Sequence, residues 1–223
     1  MKPELRHVGE GRHPVVVVDG FTGRLPDIRA IAAAMAPFPA SRGNYYPGLR
    51  RIIEVSDRPA LAYVEHVLRQ ASPFIGGGFD AARFDVLEAS FSMVTAQPSA
   101  LSPAQRAPHF DSLDPGYLAL LHYLSDTPGT AFYRQRATGI EMVGKGNVEA
   151  FVAAARPSAE AALGYIRASD DHYEQIGMVE GVADRLVIYR GALLHSGIIA
   201  PDMELSADPL VGRLTANLFV QIG

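Results

Sequence analysis

The eight residues Tyr117-Leu118-Ala119-Leu120-Leu121-His122-Tyr123-Leu124 are apolar or aromatic at every position except His122. A run this short and this apolar reads as a strand buried on both faces, so the chain must supply packed layers on either side of it. Other segments repeat the β signal. Val15-Val16-Val17-Val18 is β-branched and ends at the turn Asp19-Gly20, and residues 84–95 carry Ala89-Ser90-Phe91-Ser92-Met93-Val94-Thr95. Thr130-Ala131-Phe132-Tyr133 follows a turn at 126–129, and residues 173–180, Arg185-Leu186-Val187-Ile188-Tyr189, Leu193-Leu194-His195 and residues 214–222 complete the set. Short strands separated by turn residues suit a double-stranded β-helix of the jelly-roll or cupin-like kind better than a parallel sheet.

Three stretches predict helices. Residues 28–35 are Ala-rich, follow Pro26 and are stopped by Pro37 and Pro39. Residues 59–70 carry a stripe of Ala60, Leu61, Val64 and Leu68, and the following Gly76-Gly77-Gly78 reads as a flexible connector. Residues 147–168 read as helical, broken at Pro157 with Ser158 capping the second half. The expected architecture is mostly β with flanking helices (α+β). One domain spans 1–223: a strand and helices over 1–85 pack on a barrel core of 86–223, which carries a helical insertion near 147–170. That insertion is expected over the barrel mouth or its outer face.

Composition narrows the function classes. At 223 residues, with 48% hydrophobic and 20% charged residues, the chain can bury a full core. Its net charge of −4 provides no basic field for nucleic acid or an anionic membrane, and neither is expected as a partner. The absence of cysteine excludes thiolate zinc sites, iron–sulfur clusters and disulfides. The first residues lack a signal core and no apolar run reaches spanning length, so a cytoplasmic protein is expected. A homodimer is admissible. No His-Glu-x-x-His helix, Walker loop or Gly-x-Ser-x-Gly elbow occurs.

The chemistry gathers at three places. In His109-Phe110-Asp111, an extended chain puts the imidazole and the carboxylate on one side and Phe110 on the other. His195 follows the apolar Ala192-Leu193-Leu194 far downstream. Two imidazoles and one carboxylate make a facial triad, which holds one side of an octahedral iron and leaves the other open. Taken singly, His-x-Asp is a weak signal and His195 could be a structural histidine; the ordered set favours ligands. Asp114 is a rival carboxylate, better suited to shaping its turn.

Arg213 and Thr215 share a strand face with Asn217, opposite Leu214, Ala216, Leu218 and Val220. A guanidinium inside a barrel needs an anion, either one of the protein's own acids or the distal carboxylate of 2-oxoglutarate, with the Thr215 hydroxyl adding a hydrogen bond. By alternation Tyr117 and Tyr123 face one side and are further candidates for that carboxylate, although packed aromatics are the plainer reading of both. His122 reads as a satisfied core histidine, and His7, His13, His66 and His172 as surface residues. The stretch Asn44-Tyr45-Tyr46-Pro47-Gly48, with Arg50 and Arg51, reads as a solvated turn rather than a substrate-contacting loop.

From about Ser90 to Val220 the sequence resembles the iron(II)/2-oxoglutarate oxygenases of the prolyl-4-hydroxylase type. The likeness runs through His109-Phe110-Asp111, Leu120-Leu121-His122-Tyr123-Leu124-Ser125-Asp126, Pro128-Gly129-Thr130-Ala131-Phe132, residues 184–191, His195 and Gly212-Arg213. Nearly the whole chain is similar to an uncharacterised bacterial family of the same superfamily, through Tyr45-Tyr46-Pro47-Gly48-Leu49-Arg50 and Gly129-Thr130-Ala131-Phe132-Tyr133-Arg134. Pro128 replaces the usual glycine, the 84 residues from Asp111 to His195 are many, and Arg213 lies farther from His195 than is usual. The resemblance implies a dioxygenase that binds iron at His109, Asp111 and His195. It would hold 2-oxoglutarate at Arg213, use dioxygen, and hydroxylate an amino acid, peptide or small molecule. Two other classes stay open: a cupin-like metal enzyme without 2-oxoglutarate, and a non-catalytic ligand-binding jelly roll.

Overall fold

The computed structural model describes the backbone of residues 1–41, 45–161 and 163–223, and the side chains of all of these except 157–161. Asn44 and the proposed Ser158 cap therefore fall outside what is described.

The chain forms β1 (Lys2–Val8), β2 (His13–Asp19), α1 (Leu25–Ala34), β3 (Gly48–Ile52), α2 (Arg58–Phe79) and β4 (Phe84–Val94). Then come β5 (Tyr117–Tyr123), β6 (Thr127–Gln135), α3 (Val148–Ala161), β7 (Tyr173–Gly181), β8 (Leu186–Arg190), β9 (His195–Ile198) and β10 (Leu214–Ile222). A seven-stranded sheet runs β1-β2-β8-β5-β10-β4-β3, and a smaller sheet runs β7-β6-β9. Every named strand pair is antiparallel. This is the mostly β, double-stranded β-helix arrangement expected, with helices outside it.

Alternation along the central strands divides the core. Val16, Val18, Leu118, Leu120, Leu186, Ile188, Leu214, Ala216 and Leu218 face α1 and α2. Their neighbours Val15, Val17, Ala119, Leu121, Tyr123, Val187 and Tyr189 face Phe132 and Val179 of the small sheet. Both faces of the 117–124 run are thus covered, one by helices and one by strands, which is why it holds no surface residue.

Four expectations need correction. The segments 2–8 and 48–52, not anticipated as strands, form β1 and β3 at the two edges of the large sheet, where a neighbour's backbone supplies the pairing that side-chain pattern does not announce. Gly76-Gly77-Gly78 is the last turn of α2, not a connector. Val67, Ala71, Ile75 and Phe79 recur every four residues on the buried face of α2, and their burial outweighs a glycine cost of about 1 kcal/mol per residue. Gly78 also permits the approach to β2, since a Cβ there would meet Val16 Cγ2 at 2.6 Å. Finally, α3 is continuous across Pro157 and ends at Ala161 instead of continuing toward 168. No helix among the described residues is long and apolar enough to cross a membrane.

Candidate active site

His109 and Asp111 lie in the loop before β5, yet their backbone is tightly fixed. The His109 and His195 backbones exchange two hydrogen bonds of 2.9 Å, which adds a single bridge to the outer edge of β9. The Asp111 N–H donates to the Gly191 carbonyl at 2.7 Å. Gly191 must be glycine for this to happen, because a Cβ would meet Tyr117 Cδ1 at 2.6 Å and Asp111 Cβ at 3.1 Å. Phe110 points away and meets Phe151 of α3 edge-on, with ring centroids 5.8 Å apart. Extended alternation therefore sends the two polar side chains to one side, toward His195.

The three residues converge. Asp111 Oδ1 lies 3.9 Å from His109 Nε2, Asp111 Oδ2 lies 3.6 Å from His195 Nε2, and one ligand atom from each lies within 4.8 Å of the others. His195 Nδ1 is 2.8 Å from the Leu193 carbonyl, an acceptor, so Nδ1 carries a proton and Nε2 is the atom turned toward the carboxylate. Tyr189 packs edge-on against the His195 ring at 4.8 Å and holds its orientation. Burial pushes the His109 imidazole well below its usual range, and the His195 and Arg50 charges push it the same way. Burial raises the Asp111 carboxyl, against the pull of His195 and Arg50. Two imidazoles and a carboxylate with their ligand atoms this close together make a donor set that a divalent cation would satisfy.

These side chains open into a cavity of about 770 Å³ between the sheets, a size suited to a small organic ligand. Arg213 lines it at 6% exposure, and its Nε has no hydrogen-bond partner. Among the described residues no carboxylate pairs with Arg213, so none of them gives it the internal ion pair of a plain structural role. Its charge is felt instead by the hydroxyls of Tyr46, Tyr123, Tyr165 and Tyr189. Thr215, two residues on, also lines the cavity, and its hydroxyl lies 3.4 Å from the Ser92 carbonyl. A buried cation that no described residue neutralises, in a wall open to ligand, is an incomplete electrostatic arrangement.

The two tyrosine candidates are placed differently. Tyr123 is near Arg213 but does not line the cavity; its hydroxyl is engaged with Thr130 Oγ1 at 2.6 Å, and Thr130 is the residue that faces the space. Tyr117 stacks on Phe219 at 5.3 Å and lies toward Asp111, also outside the lining. The solvated-turn reading is corrected at Tyr46 and Arg50, which line the cavity, and the Tyr46 hydroxyl is buried near Ser92 and Thr215. Arg51 instead pairs with Asp57 at 2.8 Å. Tyr165, Tyr189, Thr130 and Phe151 also line the cavity and were not singled out from the sequence. Strand alternation from Val187 could have flagged Tyr189, whereas Tyr165 and Phe151 reach the site only through the placement of α3 and the loop after it.

The comparisons with known proteins agree with this arrangement at the level of the fold. The sequence model of the family described as "Family of unknown function (DUF6445)" matches residues 1–220. No curated protein matches the chain by sequence. Among solved structures, HygX from Streptomyces hygroscopicus with nickel and 2-oxoglutarate bound superposes with a TM-score of 0.57 at 12% identity, covering 93% of this chain and 82% of HygX. The non-heme alpha-ketoglutarate-dependent epimerase SnoN from nogalamycin biosynthesis gives 0.57 at 15% identity, over 95% of this chain and 80% of SnoN. A prolyl hydroxylase from Trichoplax adhaerens, solved with a hypoxia inducible factor peptide, gives 0.52 at 8% identity, over 93% and 83%.

Proposed function

We infer that this chain, which belongs to the DUF6445 family, is an iron(II)- and 2-oxoglutarate-dependent oxygenase that oxidises a small molecule or peptide. One observation carries the reading: Arg213, buried and with no acid paired to it among the described residues, lines the cavity into which His109, Asp111 and His195 converge. That HygX holds nickel and 2-oxoglutarate within a similar fold supports it. When bound at the triad, iron(II) would supply the means to reduce dioxygen at the expense of 2-oxoglutarate and to oxidise a C–H bond.

The chain's own residues have separable tasks. His109, Asp111 and His195 would hold the metal from one side, with the Leu193 carbonyl fixing the His195 tautomer and the Gly191 carbonyl fixing the Asp111 backbone. Arg213 would grip the far carboxylate of the co-substrate through its fork, helped by the Thr215 and Thr130 hydroxyls. Tyr123 positions Thr130 through their shared hydrogen bond and leaves it facing the ligand. Tyr189, Phe151 and Phe219 line the space and exclude water around the reacting groups.

The test is anaerobic addition of iron(II) and then 2-oxoglutarate to metal-free protein, watching for the weak visible metal-to-ligand charge-transfer band. The band is expected, and it is expected to vanish in His195→Ala. Iron binding without a band would sink the co-substrate assignment; no iron binding would sink the metal centre.

A further inference from the structure

Arg50 lines the same cavity from the edge strand β3, and the proposed reaction gives it no task. Its guanidinium carbon lies 4.8 Å from the Tyr46 ring centroid and 5.9 Å from that of Phe219. Its Nε donates to Ser92 Oγ at 3.2 Å. These contacts hold the guanidinium while leaving its outer edge with little to bind. The acid paired with it, Glu88, stands at 3.7 Å, beyond hydrogen-bond reach, and that same Glu88 oxygen is buried without a hydrogen bond. A fork held by aromatic faces, with its outer edge unspent, matches a planar carboxylate.

Charge around the cavity points the same way. Among the described residues that line it, Asp111 is the one carboxylate, against Arg50, Arg156 and Arg213. At the proposed centre, the charges of iron(II) and Arg213 are balanced by Asp111 and the dianionic co-substrate. Arg50, whose own acid Glu88 stands off at 3.7 Å, and Arg156, exposed on α3, take no part in that balance. The Arg50 charge also acts on His109, Asp111 and Tyr117, so its end of the cavity adjoins the triad. The wall also carries the aromatic rings of Phe151 and Phe219, the latter 5.9 Å from the Arg50 guanidinium carbon.

We propose that the prime substrate is a small organic acid with an apolar or aromatic body, its carboxylate seated on Arg50 and its body against Phe219 and Phe151. This rests on the oxygenase reading of the same site and names its substrate class. The probes are phenylacetate and its neutral isostere phenylacetamide, titrated by ligand-observed NMR. One series uses protein loaded anaerobically with iron(II) and saturating 2-oxoglutarate. A second uses metal-free Arg213→Gln protein, in which Arg50 is the half-buried fork that remains.

In both series phenylacetate is expected to bind about tenfold or more tightly than the amide. Arg50→Gln should erase that preference, and Arg50→Lys should restore only part of it, since an ammonium keeps the charge but not the fork. Thermal melts check that each variant is folded. Equal binding of the two probes, or a preference that survives Arg50→Gln, overturns the proposal. If the charge-transfer band never forms but an Arg50-dependent preference persists in metal-free protein, the oxygenase reading fails and the acid site stands. If the band forms and no preference exists, the acid site fails alone.

Discussion

Two histidine–carboxylate assemblies sit on opposite faces of the large sheet, and they differ in whether their hydrogen-bonding capacity is spent. On the helix side, the Tyr63 hydroxyl meets His122 Nδ1 at 2.7 Å, and His122 Nε2 meets Asp184 at 3.0 Å. Asp184 also accepts from the Thr22 N–H, the Thr22 hydroxyl and the Gly23 N–H, at 2.9, 2.6 and 2.8 Å. Burial pushes His122 below its usual range against the pull of Asp184, so the imidazole is neutral, with Nε2–H donating to the carboxylate and Nδ1 accepting from Tyr63. Burial alone would raise Asp184, but hydrogen bonds from His122, Thr22 and Gly23 hold it well below the carboxylate range. Every member is satisfied and enclosed, so the assembly ties α2, β5 and the loop after β2 together. It has nothing left to offer a ligand.

On the strand side, His109, Asp111 and His195 approach one another without a hydrogen bond among their side chains, and Arg213 in the same cavity has no acid among the described residues. The residue types are nearly the same. What differs is the supply of partners, and a site for ligands is the place where the fold leaves polar groups unpaired.

This comparison can be broken in graded ways. The largest expected effect is on metal binding. Asp111→Ala or His195→Ala should weaken iron(II) affinity by at least about 100-fold, since loss of outer partners alone costs 10–100-fold. The metal-free melting temperature should stay close to wild type. Calorimetric titration together with a melt checks both, and a large loss of stability would mean that the triad is structural.

Asp184→Asn should do the reverse, costing on the order of 3 kcal/mol of stability by breaking a buried pair while leaving iron affinity unchanged in the folded protein. Because Asp184 is depressed, its contribution is full above the unfolded value of about 3.9 and is lost as pH falls below it. Urea midpoints from pH 7 to 3 should therefore fall more steeply for wild type than for the asparagine variant.

Arg213→Gln should spare iron and weaken 2-oxoglutarate by roughly 10–100-fold, the value of a charged bidentate contact of about 1.5–3 kcal/mol. Unchanged affinity in a titration of the charge-transfer band would remove Arg213 from the site. The smallest effect belongs to Tyr123→Phe. Losing the bond to Thr130 should cost about 1 kcal/mol of stability and change 2-oxoglutarate affinity by less than about threefold. A larger change would give Tyr123 the direct contact that its position outside the cavity wall argues against.

Much of this was legible in the chain. The runs 15–18, 117–124, 185–189 and 214–222 announce strands by β-branched and aromatic content, and the alternation of Arg213, Thr215 and Asn217 against Leu214, Ala216 and Leu218 assigns the inner face correctly. The spacing in His109-Phe110-Asp111 places two polar side chains on one side whatever the fold around them. Less legible were features that depend on neighbours distant in sequence. Edge strands β1 and β3 exist because β2 and β4 offer unpaired backbone, and Gly76-Gly77-Gly78 is helical because Ile75 and Phe79 on either side of it are buried against the sheet.

Local pattern by itself determined the strand periodicity, the inner and outer faces, and the residue types able to hold a metal and an anion. These follow from backbone geometry that repeats every two residues and need no knowledge of the rest of the molecule. Only the tertiary structure decided which imidazole is satisfied and which is open, that the Tyr123 hydroxyl is spent on Thr130, and that Arg50 faces the cavity. Those outcomes rest on which partners arrive from residues far away in sequence. A hydrogen bond or a bare charge is a property of the assembled neighbourhood, not of the residue that carries it.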